Sequence, residues 1–176
     1  MNNKAFTLIE LLVAVLIIGI LAAIAVPQYQ KAVYKSHYNK LMDITNSIHQ
    51  AEEVFYLSNG RYTDNLEELD INLSGCTLSP NKKYCTFDWG ICDVFTGNYG
   101  KVTCLDTQNI NNAYVRNFST HTRPNKRTCY AFNTTSDLNS KWSKICKDAG
   151  ATEKQPVELL TCSFSSGNRK CNVFNF

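Results

Sequence analysis

The sequence predicts an α+β fold: a long N-terminal helix followed by a small, antiparallel, disulfide-rich sheet domain. Three observations predict it. Phe6–Val26 is apolar, interrupted only by Thr7, Glu10 and Gly19. Beyond it, apolar residues recur every three or four positions as far as Phe55. All eight cysteines lie at or beyond residue 76, among short β-rich runs separated by turn residues.

The first element is the apolar segment. At about 1.5 Å per residue, a helix over Phe6–Val26 spans roughly the 30 Å of a bilayer core. Its one acid, Glu10, stands near the start. A carboxylate in hydrocarbon is costly unless it is protonated, paired or near the interface. Three readings fit these residues. Met1 and Lys4 could open a secretory signal peptide cut at Ala23–Ala25, an A-x-A site. The segment could be a plain signal anchor. Or it could be the first half of a longer helix.

The residues that follow favour the longer helix. Tyr34, Leu41, Ile44, Ile48, Ala51 and Phe55 fall on one face, with Lys35, Lys40, Asn46, Glu52 and Glu53 mostly elsewhere. Pro27 bends or loosens the helix, and Gly60 in "SNGRY" suits a left-handed C-cap. A helix from 6 to 59 makes a rod of roughly 80 Å, half apolar all round and half amphipathic. Such a rod packs on other rods and carries a globular head.

"KAFTLIELLVAVLIIGILAAIAVPQYQKA" together with "YLSNGRYTDNLEELDI" resembles the N-terminal signal and spine of type IV pilins and of type II secretion pseudopilins. The resemblance covers roughly residues 1 to 70. It implies that a prepilin peptidase removes a leader, residues 1–5, by cutting between Ala5 and Phe6, and then methylates the new amine of Phe6. The usual residue before the cut is glycine, and this chain has Ala5 there. The family's helix-weakening glycine and proline match Gly19 and Pro27. By the same resemblance, Glu10 of one subunit meets the Phe6 amine of its neighbour during filament growth, each charge offsetting part of the other's burial cost. The implied partners are further copies and other pilin-like subunits, the peptidase and methyltransferase, an assembly platform with its ATPase, and the inner membrane. The precursor would sit in that membrane with its N-terminus cytoplasmic, before the head reaches the periplasm or cell surface.

The resemblance also makes 60–75 the loop between spine helix and sheet, and within it Asp64 can cap a short helix, with Glu67 completing a capping box and Leu66 and Leu69 inward. Residues 84 to 104 read as strands around a turn at Gly97–Tyr99, which sets Cys92 opposite Cys104. A two-residue turn at Ser166–Gly167 sets Cys162 opposite Cys171. "TTSDLNSKWSKIC" reads as a helix, capped near Thr135 or Ser136, that could carry Cys146 to Cys129. Cys76–Cys85 then closes a small loop, and the head is 76–176. Eight cysteines behind a membrane-targeting segment read as bridges in an oxidising compartment. None stand two to four residues apart as zinc or iron–sulfur ligands do. A catalytic Cys–His pair with His37, His49 or His121 would leave an odd thiol.

Charge is nearly balanced, 18 Lys plus Arg against 15 Asp plus Glu. The basic run "YVRNFSTHTRPNKRTCY" carries Arg123, Lys126 and Arg127, candidates for an anion or nucleic-acid contact. More simply it is a solvated surface. "DTQNINN" at Asp106–Asn112 has calcium-like oxygens without the regular alternation of a known loop, and reads as a polar turn. Sequons stand at Asn72, Asn117 and Asn133. There is no phosphate-binding glycine loop, no HExxH and no glycosidase-like carboxylate pair, so neither a metal, a cofactor nor an enzymatic activity is expected. The function expected is a structural filament subunit serving adhesion, motility or DNA uptake. The alternatives are a type II secretion pseudopilin and a secreted disulfide-rich binding protein.

Overall fold

The computed structural model describes residues 6–97, 100–106, 108–132, 139–153, 160–164 and 167–176. Its long helix α1, Leu8–Asn59, runs through Pro27 without interruption. The chain divides into two compact units, Met1–Tyr34 and Lys35–Phe176. The first is helix alone from Leu8 onward, with its large apolar side chains exposed. The second is the head, which includes the amphipathic half of α1. Gly60 ends the helix at φ 68°, donating its N–H to the Tyr56 carbonyl at 2.8 Å. Left-handed backbone of this kind is what makes glycine the usual residue there.

A 3-10 turn, Leu66–Glu68, follows, and then an antiparallel sheet: β1 Thr77–Leu78, β2 Tyr84–Thr86, β3 Gly90–Phe95, β4 Lys101–Asp106, β5 Asn112–Asn117, β6 Arg127–Phe132. Helix α2, Lys141–Asp148, precedes β7 Thr152–Glu153, β8 Leu160–Phe164 and β9 Gly167–Asn175. The strand order is β1-β2-β3-β4-β5-β6-β9-β7, with β8 also on β9. Thus β9 gives one edge to β6 and shares its other between β7 and β8.

In β3 a side chain at Gly90 would run into the backbone carbonyl of Leu105, so that strand pair approaches too closely for any other residue. One sheet face meets the helices. Tyr38 of α1 packs edge-on to Tyr114 of β5 at 6.2 Å, and Arg116 reaches Asn46 at 2.7 Å. Asn112, on that same face, donates to the carbonyls of Trp142 in α2 and Tyr130 in β6, at 3.0 and 3.2 Å. Leu105, Ala113, Phe132, Cys162 and Cys171 form a cluster on the opposite face, with Ile91, Tyr130 and Val173 packed against it.

Several expectations need correction. The stripe of α1 that faces the head is Tyr38, Leu41, Thr45, Ile48, His49 and Glu52. Ala51 and Phe55 are only half-buried, and Glu52, placed on the polar face, is fully buried. The cap of the short turn is Asn65, whose side chain accepts from Glu67 N at 3.1 Å, while Asp64 pairs with Lys83 at 2.6 Å. Helix α2 is capped by Ser140, which accepts from Ser143 N at 3.2 Å, one turn later than expected. Thr135 and Ser136 lie outside the described residues. The β3–β4 hairpin pairs Phe95 with Lys101, so its loop is 96–100, centred as expected but longer, with Asn98 and Tyr99 outside the described residues. In β8–β9, Phe164 pairs with Gly167, so Gly167 belongs to the strand and not to the expected turn, whose Ser166 lies outside the described residues. Cys171 stands opposite Leu160 rather than Cys162. Strands β5 and β6 occupy the run read as basic surface.

The structure joins each cysteine to its neighbour along the chain: Cys76–Cys85, Cys92–Cys104, Cys129–Cys146 and Cys162–Cys171. Cys92 and Cys104 are direct cross-strand partners with Cα atoms 4.0 Å apart. Cys162 and Cys171 are diagonal, at 6.1 Å, which is still within disulfide reach.

Candidate assembly segment and the head clamp

At the N-terminal end of α1 the sequence "Thr7-Leu8-Ile9-Glu10" forms a reciprocal cap. Thr7 N and Thr7 Oγ1 both donate to Glu10 Oε2, at 2.8 and 2.7 Å. Glu10 N in turn donates to Thr7 Oγ1 at 3.3 Å. An open helix end leaves backbone N–H groups without partners, and this S/T-x-x-E arrangement satisfies two of them. The Thr-x-x-Glu spacing is a local signal of this cap in the sequence. Glu10 therefore has a local partner within its own chain, whatever it meets elsewhere.

Beyond the cap, Leu8, Leu16 and Leu21 are 88%, 59% and 61% exposed. No side chain of this unit covers them, and the stretch is long and apolar enough to cross a membrane. Gly19 has open space around it, and Pro27 lies inside the helix. Phe6 is exposed. Ala5, the other side of the expected cut, lies outside the described residues.

A second polar group ties α1 to the head. Glu53 Oε1 accepts from Tyr62 OH at 3.0 Å and from Ser119 N at 2.9 Å, and Oε2 accepts from Ser119 Oγ at 2.8 Å. His49 Nε2 lies 2.9 Å from the Asn117 carbonyl and must donate to it, which sets the ring's tautomer. Burial, with Arg116 nearby, holds that imidazole below its ordinary range. Tyr62 stacks on Phe118 at 4.0 Å and on Tyr56 at 4.6 Å. Glu52 Oε2 accepts from Thr63 N at 3.2 Å, while Oε1 is buried without a partner. Burial pushes the Glu52 carboxyl up to about 7, against the Thr63 hydrogen bond and helped by Asp64, Glu53 and Glu68. Four carboxylates and one imidazole thus sit around a single helix end. None of this was read from the sequence, because Glu52 and Glu53 look like solvated charges.

The candidate anion contacts lie in and beside the loop between β5 and β6. Arg123 is exposed in the loop between β5 and β6. Lys126 is half-buried, and the Arg127 guanidinium lies over the Phe176 ring at 5.3 Å. Asp106 holds a turn, accepting from Gln108 N and Asn109 N at 3.0 and 2.8 Å, and faces His37 Nδ1 at 3.4 Å. Asn117 of the second sequon is buried and donates to the Arg123 carbonyl at 3.0 Å. Asn72 is exposed, and Asn133 lies outside the described residues.

Residues 1–26 match the prokaryotic N-terminal methylation motif. The N-terminal half of the chain is also similar to that of type IV pilins. The chain is 42% identical over 81 residues to the type IV major fimbrial protein FimA of Dichelobacter nodosus, covering 45% of this chain and 50% of that protein. It is 39% identical over 68 residues to the type IV major pilin protein PilA of Myxococcus xanthus, covering 39% and 31%. It is 36% identical over 104 residues to a fimbrial protein of Moraxella nonliquefaciens, covering 59% and 55%. The chain thus spans about half or less of the length of these curated relatives. No solved structure matches it.

Proposed function

We propose that this chain is a structural subunit of a type IV pilus or related filament, with no enzymatic role. The observation that supports it is the N-terminal unit. A methylation motif opens a helix whose apolar side chains have nothing among the described residues of their own unit to cover them. Such a surface requires either lipid or other copies of the same helix. A pilin uses both in turn.

In this reading the leader ends at Ala5, and Phe6 becomes a methylated, positively charged N-terminus. Glu10 then exchanges its bonds to Thr7 for the Phe6 amine of a neighbouring subunit. Residues 6–59 form the spine, with 6–26 crossing the inner membrane before assembly. The loop 60–75 and the head 76–176 stay on the periplasmic and then the outer side. Gly19 and Pro27 supply local give in the spine. Processing and assembly would use a prepilin peptidase and an ATPase-driven platform. The relatives' names are those of filament proteins, which favours a pilin over a secretion pseudopilin.

Intact mass and N-terminal sequencing of the mature protein from its host test this reading. A start at Phe6, one methyl group heavier than the bare chain, with the protein abundant in sheared surface filaments, is the expected result. A start at Val26 would remove the spine and leave a secreted, disulfide-rich protein instead.

A further inference from the structure

The face of α1 turned away from the clamp lines an open groove of about 440 Å³ between the helix and residues 68–71. Ala51, Val54, Phe55 and Ile71 give it apolar walls. Val54, in the last two turns of α1, is 64% exposed. Glu68 and Asp70 form an acidic rim. Glu68 already faces Arg61 at 3.4 Å, so the exposed Asp70 carries the groove's outward charge.

The β5–β6 loop has the complementary character. Its tip presents Arg123 and Pro124, both exposed, before Asn125 turns the chain at φ 55°. It is one apolar ring beside one guanidinium. The loop is anchored through Ser119 to Glu53, while the groove is lined by Ser47, Ala51 and Ser58. At about 100° per residue, position 53 and positions 47, 51 and 58 lie on opposing flanks of the helix. A chain therefore cannot seat its own loop in its own groove, but a second copy can.

We propose that the β5–β6 loop tip of one copy seats in the α1 groove of the next, with Arg123 against Asp70 and Pro124 against Val54. Two different surfaces meeting in this way make a head-to-tail contact, which propagates into a helical array instead of closing as a dimer. The acidic rim disfavours a nucleic-acid backbone or an anionic membrane as occupant, since like charges brought together cost binding. The contact rests on the filament reading and adds to it a specific pairing between heads.

Charge exchange in the full chain, expressed in its host, tests it. Asp70→Arg and Arg123→Asp singly should each lower the yield of sheared filaments about tenfold or more, because each sets like charges face to face. The double variant should restore most of the yield. Eight thiols protected from alkylation in every variant confirm that the head has folded. Unchanged yield in both folded singles, or no recovery in a folded double variant, overturns the contact and leaves the filament reading standing. No filaments from the unsubstituted chain overturns that reading, and the contact with it. A salt-sensitive DNA shift lost in Arg123→Asp, with filament yield unchanged, assigns the loop to nucleic acid and also overturns the proposal.

Discussion

The two units of this chain solve opposite problems. From Leu8 to Tyr34 the protein is one helix whose apolar side chains stay exposed within their own unit. From Lys35 onward it is a head with fully buried Tyr38, Leu41, Tyr114 and Phe118, and with four bridges. Burial of apolar surface is the main force that fixes a fold in water. The head supplies that force from within. The N-terminal unit buries little of its own apolar surface, so its surroundings must supply that force. Substitutions should therefore act on the head through its stability, and on the N-terminal unit through where the chain resides.

The largest effect is expected at Phe118, fully buried between Tyr62 and His49. Phe118→Ala should destabilise the head by about 3 to 5 kcal/mol, read as a fall in denaturation midpoint of the detergent-solubilised chain, with membrane partition unchanged. Next comes Ile17→Arg, in the exposed apolar stretch. A cation at the centre of a membrane helix costs about 2.5 to 3.5 kcal/mol on insertion scales. The variant should shift from the membrane to the soluble fraction while its head keeps the same denaturation midpoint. A lowered midpoint would mean that the two units are not independent.

A smaller, pH-dependent effect is expected at Glu52. Its carboxyl is raised to about 7 in the folded head, so it favours folding most at pH values below its ordinary range. That contribution is lost as pH rises through 7. The midpoint of the natural chain should fall between pH 5 and pH 8 relative to that of Glu52→Gln. Comparison at each pH cancels His49, whose lowered imidazole acts in the opposite direction, losing stability as pH falls. Parallel pH profiles would mean that Glu52 is solvated. The smallest effect is expected from Thr7→Ala, which removes the helix cap at a cost of about 1 kcal/mol. Faster amide exchange confined to the first turn, with the head untouched, is the measurement.

Elements with a simple period were legible in the sequence. The helix, its glycine stop at Gly60, and the Cys92–Cys104 hairpin follow from spacing alone. What escaped was polar chemistry buried by distant partners. Glu52 and His49 broke the apolar pattern of α1, so the contact face was assigned to Ala51 and Phe55. Asn112 and Arg116 made β5 look like surface, yet they are the residues that tie the sheet to α2 and α1. Their partners lie 30 and 70 residues away, and no local window contains both ends of such a bond. The Thr7–Glu10 cap was different. It was local and readable, and a more dramatic role for Glu10 obscured it.

Strand β9 sets a timetable. It follows every other strand in the sequence, yet it lies inside the sheet, with β6 on one side and β7 and β8 on the other. While the chain is still being synthesised, β6 has an open edge and Cys162 has no Cys171 to meet. The head must wait, incomplete, until this hairpin emerges. Its oxidation and its folding then finish together in one late step.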